Sequence, residues 1–322
     1  MSRIPQLRNS LLLACMVLFT SASGMALPAS LAHPILRDIV TGHAQDALNA
    51  LATAITEHPD DALALELRCR VQIQENHWNR AIASCQQAVR LKPSDSNAHL
   101  WLGRAYGGRA STANRLTALG LAVKLRNEFE TAIQLDPRNI AAYAALGEFD
   151  VQAPSLLGGG LDRARALTAK LQTIAPANAH ALLAKIAESQ RDYALSESEW
   201  KNAVKASPQP AQAWMELASF YRRRGRYDEM IKAAENGAAS DRDHSASLVY
   251  GAQILIRAQR NLPEAEQWLR EYLASSAQSE DTPAFAVHAQ LARLLQREGK
   301  TAEAQQEIAA ARALAPDYSP HA

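Results

Sequence analysis

The sequence predicts an all-α protein assembled from stacked pairs of antiparallel helices. Three observations carry that reading. Of its 322 residues, 48% are hydrophobic, 21% charged and only 6% aromatic. Much of the apolar share is alanine, set among Leu, Glu, Arg and Gln, side chains that lose little freedom in a helix. Runs of Val, Ile, Thr and Tyr that would read as strands are absent. Next, one frame recurs: an apolar helix, a turn, a second apolar helix, then a Pro or polar break. It is plain in AWMELASFYRRRGRYDEMIKAAENGAASDR from Ala213 and in AQLARLLQREGKTAEAQQEIAAARALAP from Ala289. Finally, the breaks are spaced. Pro59 and Pro93 stand 34 residues apart, Pro93 and Pro137 stand 44, Pro137 and Pro176 stand 39, and Pro176 and Pro208 stand 32. A period near 34, with insertions of 10 and 5 residues in the second and third intervals, marks a repeat array.

The N-terminus reads as an export segment. Arg3 and Arg8 precede the apolar run Leu11–Thr20, and small residues follow. That is the layout of a signal peptide. Cleavage after Ala26 or after Ala32 fits the small-residue rule, with the second preferred because Pro28 crowds the first. The expected division is a signal peptide over 1–32 and a repeat domain over 33–322. An uncleaved inner-membrane anchor is the alternative. Against it, the polar TSASG interrupts the apolar run well short of the ~20 residues a span needs. Lipid attachment at Cys15 is disfavoured, because apolar MVLF follows that cysteine.

The first pair is short, its first helix expected from near Pro34. The next holds Trp78, Ala81, Cys85, Ala88 and Pro93. LGRAYG (Leu102–Gly107) and FETAIQLDP (Phe129–Pro137) belong to the third. Later pairs place Trp214, Leu217, Ala218, Tyr221, Gly225, Tyr227 and Met230, and then Leu291, Ala292, Leu295, Gly299, Ala304, Ile308, Ala311 and Pro316. On these residues the chain resembles the tetratricopeptide repeat, a helix pair with a period of 34. The resemblance covers nearly all of residues 33–322. It implies a right-handed superhelical solenoid of about eight antiparallel pairs. Small residues such as Gly103, Gly147, Ala184 and Ala218 let helices approach. Tyr106, Phe129, Trp200, Tyr221 and Trp268 fill the space between pairs as core. Cys69 and Cys85 fall on facing helices of one pair in the family's arrangement. A disulfide and two buried small hydrophobes are both open readings there.

Two insertions depart from the frame. The first, at about 107–128, has no acidic neighbour between Asp95 and Glu128 but holds Arg104, Arg109, Arg115, Lys124 and Arg126. Leu116, Leu119 and Val123 keep helical spacing, which predicts an amphipathic extension. Its bland reading is a solvated basic face, its sharper one a contact for an anionic partner or a membrane. The second is APSLLGGG (Ala153–Gly160). Pro154 ends one helix, and the glycines permit positive φ. Gly158, Gly159 and Gly160, with Arg109 and Arg115, are a candidate anion or loop site. No Gly-Lys-Ser/Thr follows and no strand precedes, so a shaped loop packed on the first insertion is preferred over a phosphate cradle.

The chemistry-bearing residues do not converge. No His-Glu-x-x-His, Cys-x-x-Cys or Gly-x-Ser-x-Gly motif occurs, and Glu197 and Glu199 sit two apart, on different helix faces. No metal, cofactor or catalytic set is expected. The formal net charge of +1 lacks the basic excess of a nucleic-acid binder. In the family, first helices line a concave groove. The resemblance places Arg104, Glu148, Lys185, Glu188, Glu216, Ser219, Arg222, Arg223, Arg293 and Arg297 there. The paired Asn of carboxylate-gripping members is replaced by Ala145, Leu182 and Glu216. The chain is also similar to exported bacterial tetratricopeptide proteins of unassigned activity. The expected function is a non-catalytic periplasmic scaffold that binds partner proteins. The alternative is an accessory subunit of an envelope enzyme or assembly machine, touching a membrane or partner through its basic 104–126 stretch.

Overall fold

The computed structural model describes residue 27 and residues 29–318. Residues 1–26, most of the expected export segment, lie outside the described residues. Among the described residues, sixteen α-helices form eight pairs. These are α1 (Ala29–Thr41) with α2 (Ala44–Glu57), α3 (Ala62–Gln74) with α4 (Trp78–Leu91), α5 (Ser96–Ser111) with α6 (Arg115–Leu135), and α7 (Ile140–Gln152) with α8 (Leu161–Ile174). Then come α9 (Pro176–Ser189) with α10 (Tyr193–Ala206), α11 (Ala211–Arg223) with α12 (Tyr227–Ser240), α13 (Ala246–Ala258) with α14 (Leu262–Ala274), and α15 (Ala284–Arg297) with α16 (Thr301–Leu314). No strand occurs among the described residues.

The proline breaks have a local cause. Pro59, Pro93 and Pro137 stand between helices, and two residues beyond each an Asp or Asn caps the next one. Asp61 accepts from Ala64 N at 3.0 Å, Asp95 from Asn97 N at 3.0 Å, and Asn139 from Ala142 N at 3.0 Å. Such caps contribute about 1 kcal/mol each. Pro176 works differently. It is the first residue of α9, where a missing N–H costs nothing. One sequence expectation shifts. Pro34 lies inside α1, which begins at Ala29, so the first pair is not cut short at that proline. The ten extra residues of the third pair lengthen both helices, α6 above all, as the helical spacing of Leu116, Leu119 and Val123 predicts.

Within a pair, the turn needs a left-handed residue. Gly225 (φ 70°) and Gly299 (φ 79°) supply it cheaply, whereas Asn76 (φ 62°), Arg191 (φ 64°) and Gln259 (φ 54°) do so at a cost. A second device recurs across pairs. His99, His180 and His288, near the starts of their first helices, bond through Nδ1 to Glu128, Glu199 and Glu307 on the second helices, at 2.6, 2.6 and 2.5 Å. Close packing does the rest. Phe129 lies over Gly103, where any Cβ would collide with the ring. Trp200, Phe220 and Tyr272 are fully buried between pairs. Cys69 on α3 and Cys85 on α4 are joined as a disulfide, with Cα atoms 5.4 Å apart.

The two ends of the array meet. Ile35, Ile39, Ala47, Leu51, Leu67 and Val71 of the first helices share one apolar cluster with Phe285 and Ala315 of the last pair. Gly42, with φ 77°, lies against the backbone of Ala284, where a side chain would clash. Arg70 pairs with Glu280 at 2.7 Å across 210 residues of sequence. The array is therefore closed on itself, which the repeat frame did not predict. Ala32 is buried in this cluster, as is Leu27, so the folded body begins upstream of residue 33.

Replacing Arg191 by Gly relieves the left-handed strain without removing a described side-chain contact. Arg191→Gly is expected to raise stability by up to about 1 kcal/mol, read as a higher urea midpoint at unchanged m.

Candidate functional site

The inner wall is built by first helices, because each pair turns the same face of its first helix inward. On α9, Lys185 Nζ donates to Glu148 of α7 at 2.8 Å. Glu188 of α9 accepts from Arg223 of α11 twice, at 2.7 and 2.8 Å, and Arg223 also donates to Ser219 at 2.8 Å. Five of the residues expected in the groove thus pair with one another along the wall. Between α7, α9 and α11 lies a cavity of about 310 Å³, lined by Ala144, Ala177, Ala181 and Ala213, by the polar Glu148, Asn178, Lys185, Gln212 and Glu216, and by the buried Leu182 and Trp200. Gln212 and Glu216 also edge a second, smaller cavity toward Tyr250, Gln253 and Arg257 of α13. Burial, with the nearby Asp281 carboxylate, pushes the Tyr250 hydroxyl up to about 12, so it stays a neutral hydrogen-bond donor.

Not every expected residue joins this wall. Arg222 has an Nε that is buried without a partner. Arg293 lines a separate cavity beside Arg312 and Tyr318, and Arg297 is exposed at the end of α15. Asn178, Gln212, Tyr250 and Gln253 were missed by sequence reading. Asn178 and Gln212 stand two helical turns before Lys185 and Ser219, the spacing that puts them on the same face, and that was the available signal.

Arg104 turns to the inner wall, not to the basic insertion. Its guanidinium lies 4.4 Å from the Trp101 ring centroid and 3.6 Å from Asp281. Arg70 covers the same ring at 5.1 Å. Beside Arg70, burial raises the Glu66 carboxyl from 4.5 to about 7, although Arg70 works in the opposite direction.

The insertions also resolve differently from the basic-patch and anion readings. Arg126 pairs with Glu130 and donates to Gly158 O at 3.0 Å, Lys124 lies over Tyr106, and Arg109 bonds Asn79. Arg115 stands exposed at the tip of α6. These cations do not form one face. The Gly158, Gly159 and Gly160 amides are already used. They donate to Ser155 O, Pro154 O and Asp150 O at 2.9, 3.3 and 2.8 Å. With their three amides engaged, the glycines form no anion cradle, and the loop packs on Arg126 of α6. Along the start of α6, Leu116, Leu119 and Val123 are exposed, as is Leu156 in the glycine loop. Among the described residues, no three His, Cys, Asp or Glu side chains gather as a metal-ligand set, and no helix is long and apolar enough to cross a membrane.

A family model described as the tetratricopeptide repeat matches residues 181–245. No curated protein matches the chain. Among solved structures, yeast Tom70 is 17% identical, with a TM-score of 0.52 over 84% of this chain and 55% of Tom70. The chain thus spans about half of Tom70. A thermophilic tetratricopeptide protein of Thermus thermophilus is 21% identical, with a TM-score of 0.49 over 58% of this chain and 97% of that one. A tetratricopeptide repeat protein from Parabacteroides merdae is 15% identical, with a TM-score of 0.48 over 83% and 96%. Residues 181–245 thus match the tetratricopeptide repeat, and the described residues share the all-α helical-repeat fold.

Glu66 gives the inner wall a pH signature. Between pH 4.5 and about 7 the folded chain holds a proton there that the unfolded chain has released. Its contribution to stability therefore falls as pH rises through that window. Glu66→Gln is expected to melt like the unchanged protein at pH 4 and to be more stable at pH 8, by on the order of 2 kcal/mol. Calorimetry across the window reads the difference.

Proposed function

We propose that the chain is a non-catalytic scaffold of the bacterial envelope that binds segments of partner proteins along its inner wall. The observation that carries this reading is the cavity between α7, α9 and α11. The small alanine side chains in its lining let a peptide backbone approach closely, and the Asn178 and Gln212 amides beside them can each donate to and accept from that backbone. The wall charges are held by neighbours, so they present a fixed pattern to a partner.

The test is a photocrosslinkable residue at Gln212, compared with one at Lys170, exposed on a second helix. In cells of the source organism, a discrete adduct from position 212 and none from 170 is the expected result. Equal labelling at both positions, or none at either, overturns the inner-wall assignment.

The export reading is supported by the arginine-led apolar segment at the N-terminus. Here the fold favours cleavage after Ala26 over cleavage after Ala32. Leu27 is buried, its N–H meets the Asp61 carboxylate, and Ala32 is also buried. Cleavage after Ala26 keeps all of this and turns the Leu27 nitrogen into a cation beside Asp61. Mass spectrometry of the mature protein is expected to find Leu27 first. A mature chain starting at His33 would refute this. An inner-membrane anchor through an uncleaved segment predicts the full-length mass instead. A second role, accessory subunit of an envelope machine, is favoured by exposed Leu116, Leu119 and Val123 on the projecting start of α6.

A further inference from the structure

The closing seam pairs its charges differently from the rest of the inner wall. Lys185 and Arg223 pair with carboxylates on adjacent first helices. Arg70 and Arg104 instead face carboxylates from a connecting segment, residues 275–283 between α14 and α15. Glu280 Oε2 accepts from Arg70 Nε at 3.0 Å and Nη2 at 2.7 Å. The Gln74 side-chain amide donates to the Glu280 backbone carbonyl at 3.0 Å. Asp281 lies 3.6 Å from Arg104. Both guanidinium groups lie over the Trp101 ring, at 5.1 and 4.4 Å from its centroid.

This is how a protein reads a short acidic peptide. Two consecutive carboxylates meet two cations, and one backbone carbonyl meets one amide. The segment is shaped for presentation. The buried Tyr272 hydroxyl donates to Thr282 O at 2.7 Å and accepts from Ser279 N at 2.9 Å, so residues 279–282 are fixed from behind. The Asp281 half of the contact is the more replaceable. Its side chain is 58% exposed, and exposed ion pairs contribute at most about 1 kcal/mol, whereas Arg70 and Glu280 are mostly buried and form the firmer half. A cavity of about 340 Å³ lies alongside, lined by Arg70, Gln74, Trp101, Arg104, Glu280 and Asp281 among others.

We propose that Arg70, Gln74, Trp101 and Arg104 form a subsite for an acidic segment of a partner protein, which the chain's own Glu280–Asp281 occupies when the ring is closed. The proposal rests on the inner wall being the binding surface, and adds the chemistry of the ligand and the competitor built into the fold. Because the competitor is tethered, it acts at an effective concentration in the millimolar range. A partner therefore engages only with several carboxylates, or with contacts elsewhere on the wall. The apolar seam adjoins the acidic segment, with Gly42 against Pro283 and Ala284 and Phe285 in the end cluster, so release of the subsite means that the Glu280 and Asp281 side chains swing out while those backbone contacts stay.

The experiment uses the full mature chain and a fluorescent peptide of residues 275–283, SSAQSEDTP, with SSAQSQNTP as control. Glu280→Ala/Asp281→Ala is expected to bind the acidic peptide at least tenfold more tightly than the unchanged protein, more weakly at high salt, and to ignore the control. Adding Arg70→Ala and Arg104→Ala is expected to abolish binding, with Arg70→Lys and Arg104→Lys restoring part of it. Circular dichroism and melting show that each variant is folded. Equal affinity with and without Glu280 and Asp281, binding that survives loss of both arginines, or no binding by any folded variant overturns the subsite. Crosslinking from position 212 is read separately. If it persists while the peptide fails, the wall assignment stands and only the acidic subsite falls.

Discussion

A helix pair of this kind cannot bury its apolar face alone, and that constraint governs the whole molecule. Each pair carries hydrophobic residues on two sides, so it is stable only between neighbours. Trp200, Phe220 and Tyr272 are fully buried because they lie where one pair meets the next. An open array leaves its first and last faces uncovered. Here Phe285 and Ala315 of the last pair share a cluster with Ile39, Leu51 and Val71 of the first two. Burying a side chain the size of Phe285 contributes about 2–3 kcal/mol. Each end thereby serves as the other's missing neighbour.

Closure changes what the inner wall can be. An open superhelix offers a groove with two free ends, whereas here the wall curves round to face itself. Burial by the opposite elements shows in Tyr250 of α13, whose hydroxyl responds to Asp281 and to Arg104 of α5. Partial desolvation strengthens each polar contact on the wall and raises the cost of any group left unpaired. That is why most wall charges are already matched. Glu148 has Lys185, Glu188 has Arg223, and Arg70 has Glu280.

The helix pairs were legible because their causes are local. Alanine-rich apolar stripes, proline breaks and Asp or Asn caps at Asp61, Asp95 and Asn139 act over a few residues, and a period of 34 repeats them. The ion pairs along the wall were half legible. Helical phase put Glu148, Lys185, Glu188 and Arg223 on one face, but which ones would touch depends on the offset between helices. Closure was not legible at all. Gly42, Phe285 and Glu280 look like an ordinary turn glycine, a core aromatic and a loop acid, and only their meeting across the ring gives them their roles. Arg104 was open to two readings, a groove residue and a member of the basic stretch, and the first is where the structure places it. Its neighbours in sequence are basic, yet its side chain belongs to Trp101 and Asp281. At the glycine loop, φ freedom was readable, but the amides turned inward to Ser155, Pro154 and Asp150, so the loop offers no cradle.

Self-pairing and closure have one consequence in common. A ligand for this wall finds few unsatisfied groups to capture, so it must replace contacts that already exist. Its affinity is a difference between new contacts and those given up. A segment with the wrong charges loses the internal pairs and gains nothing, which makes the internal pairs a filter on what can bind. The amides of Asn178 and Gln212 impose no such exchange and accept any backbone. The wall therefore combines a permissive stretch at α9 and α11 with a discriminating stretch at α3 and α5. The discriminating stretch lies at the seam, where the chain itself supplies the competing carboxylates.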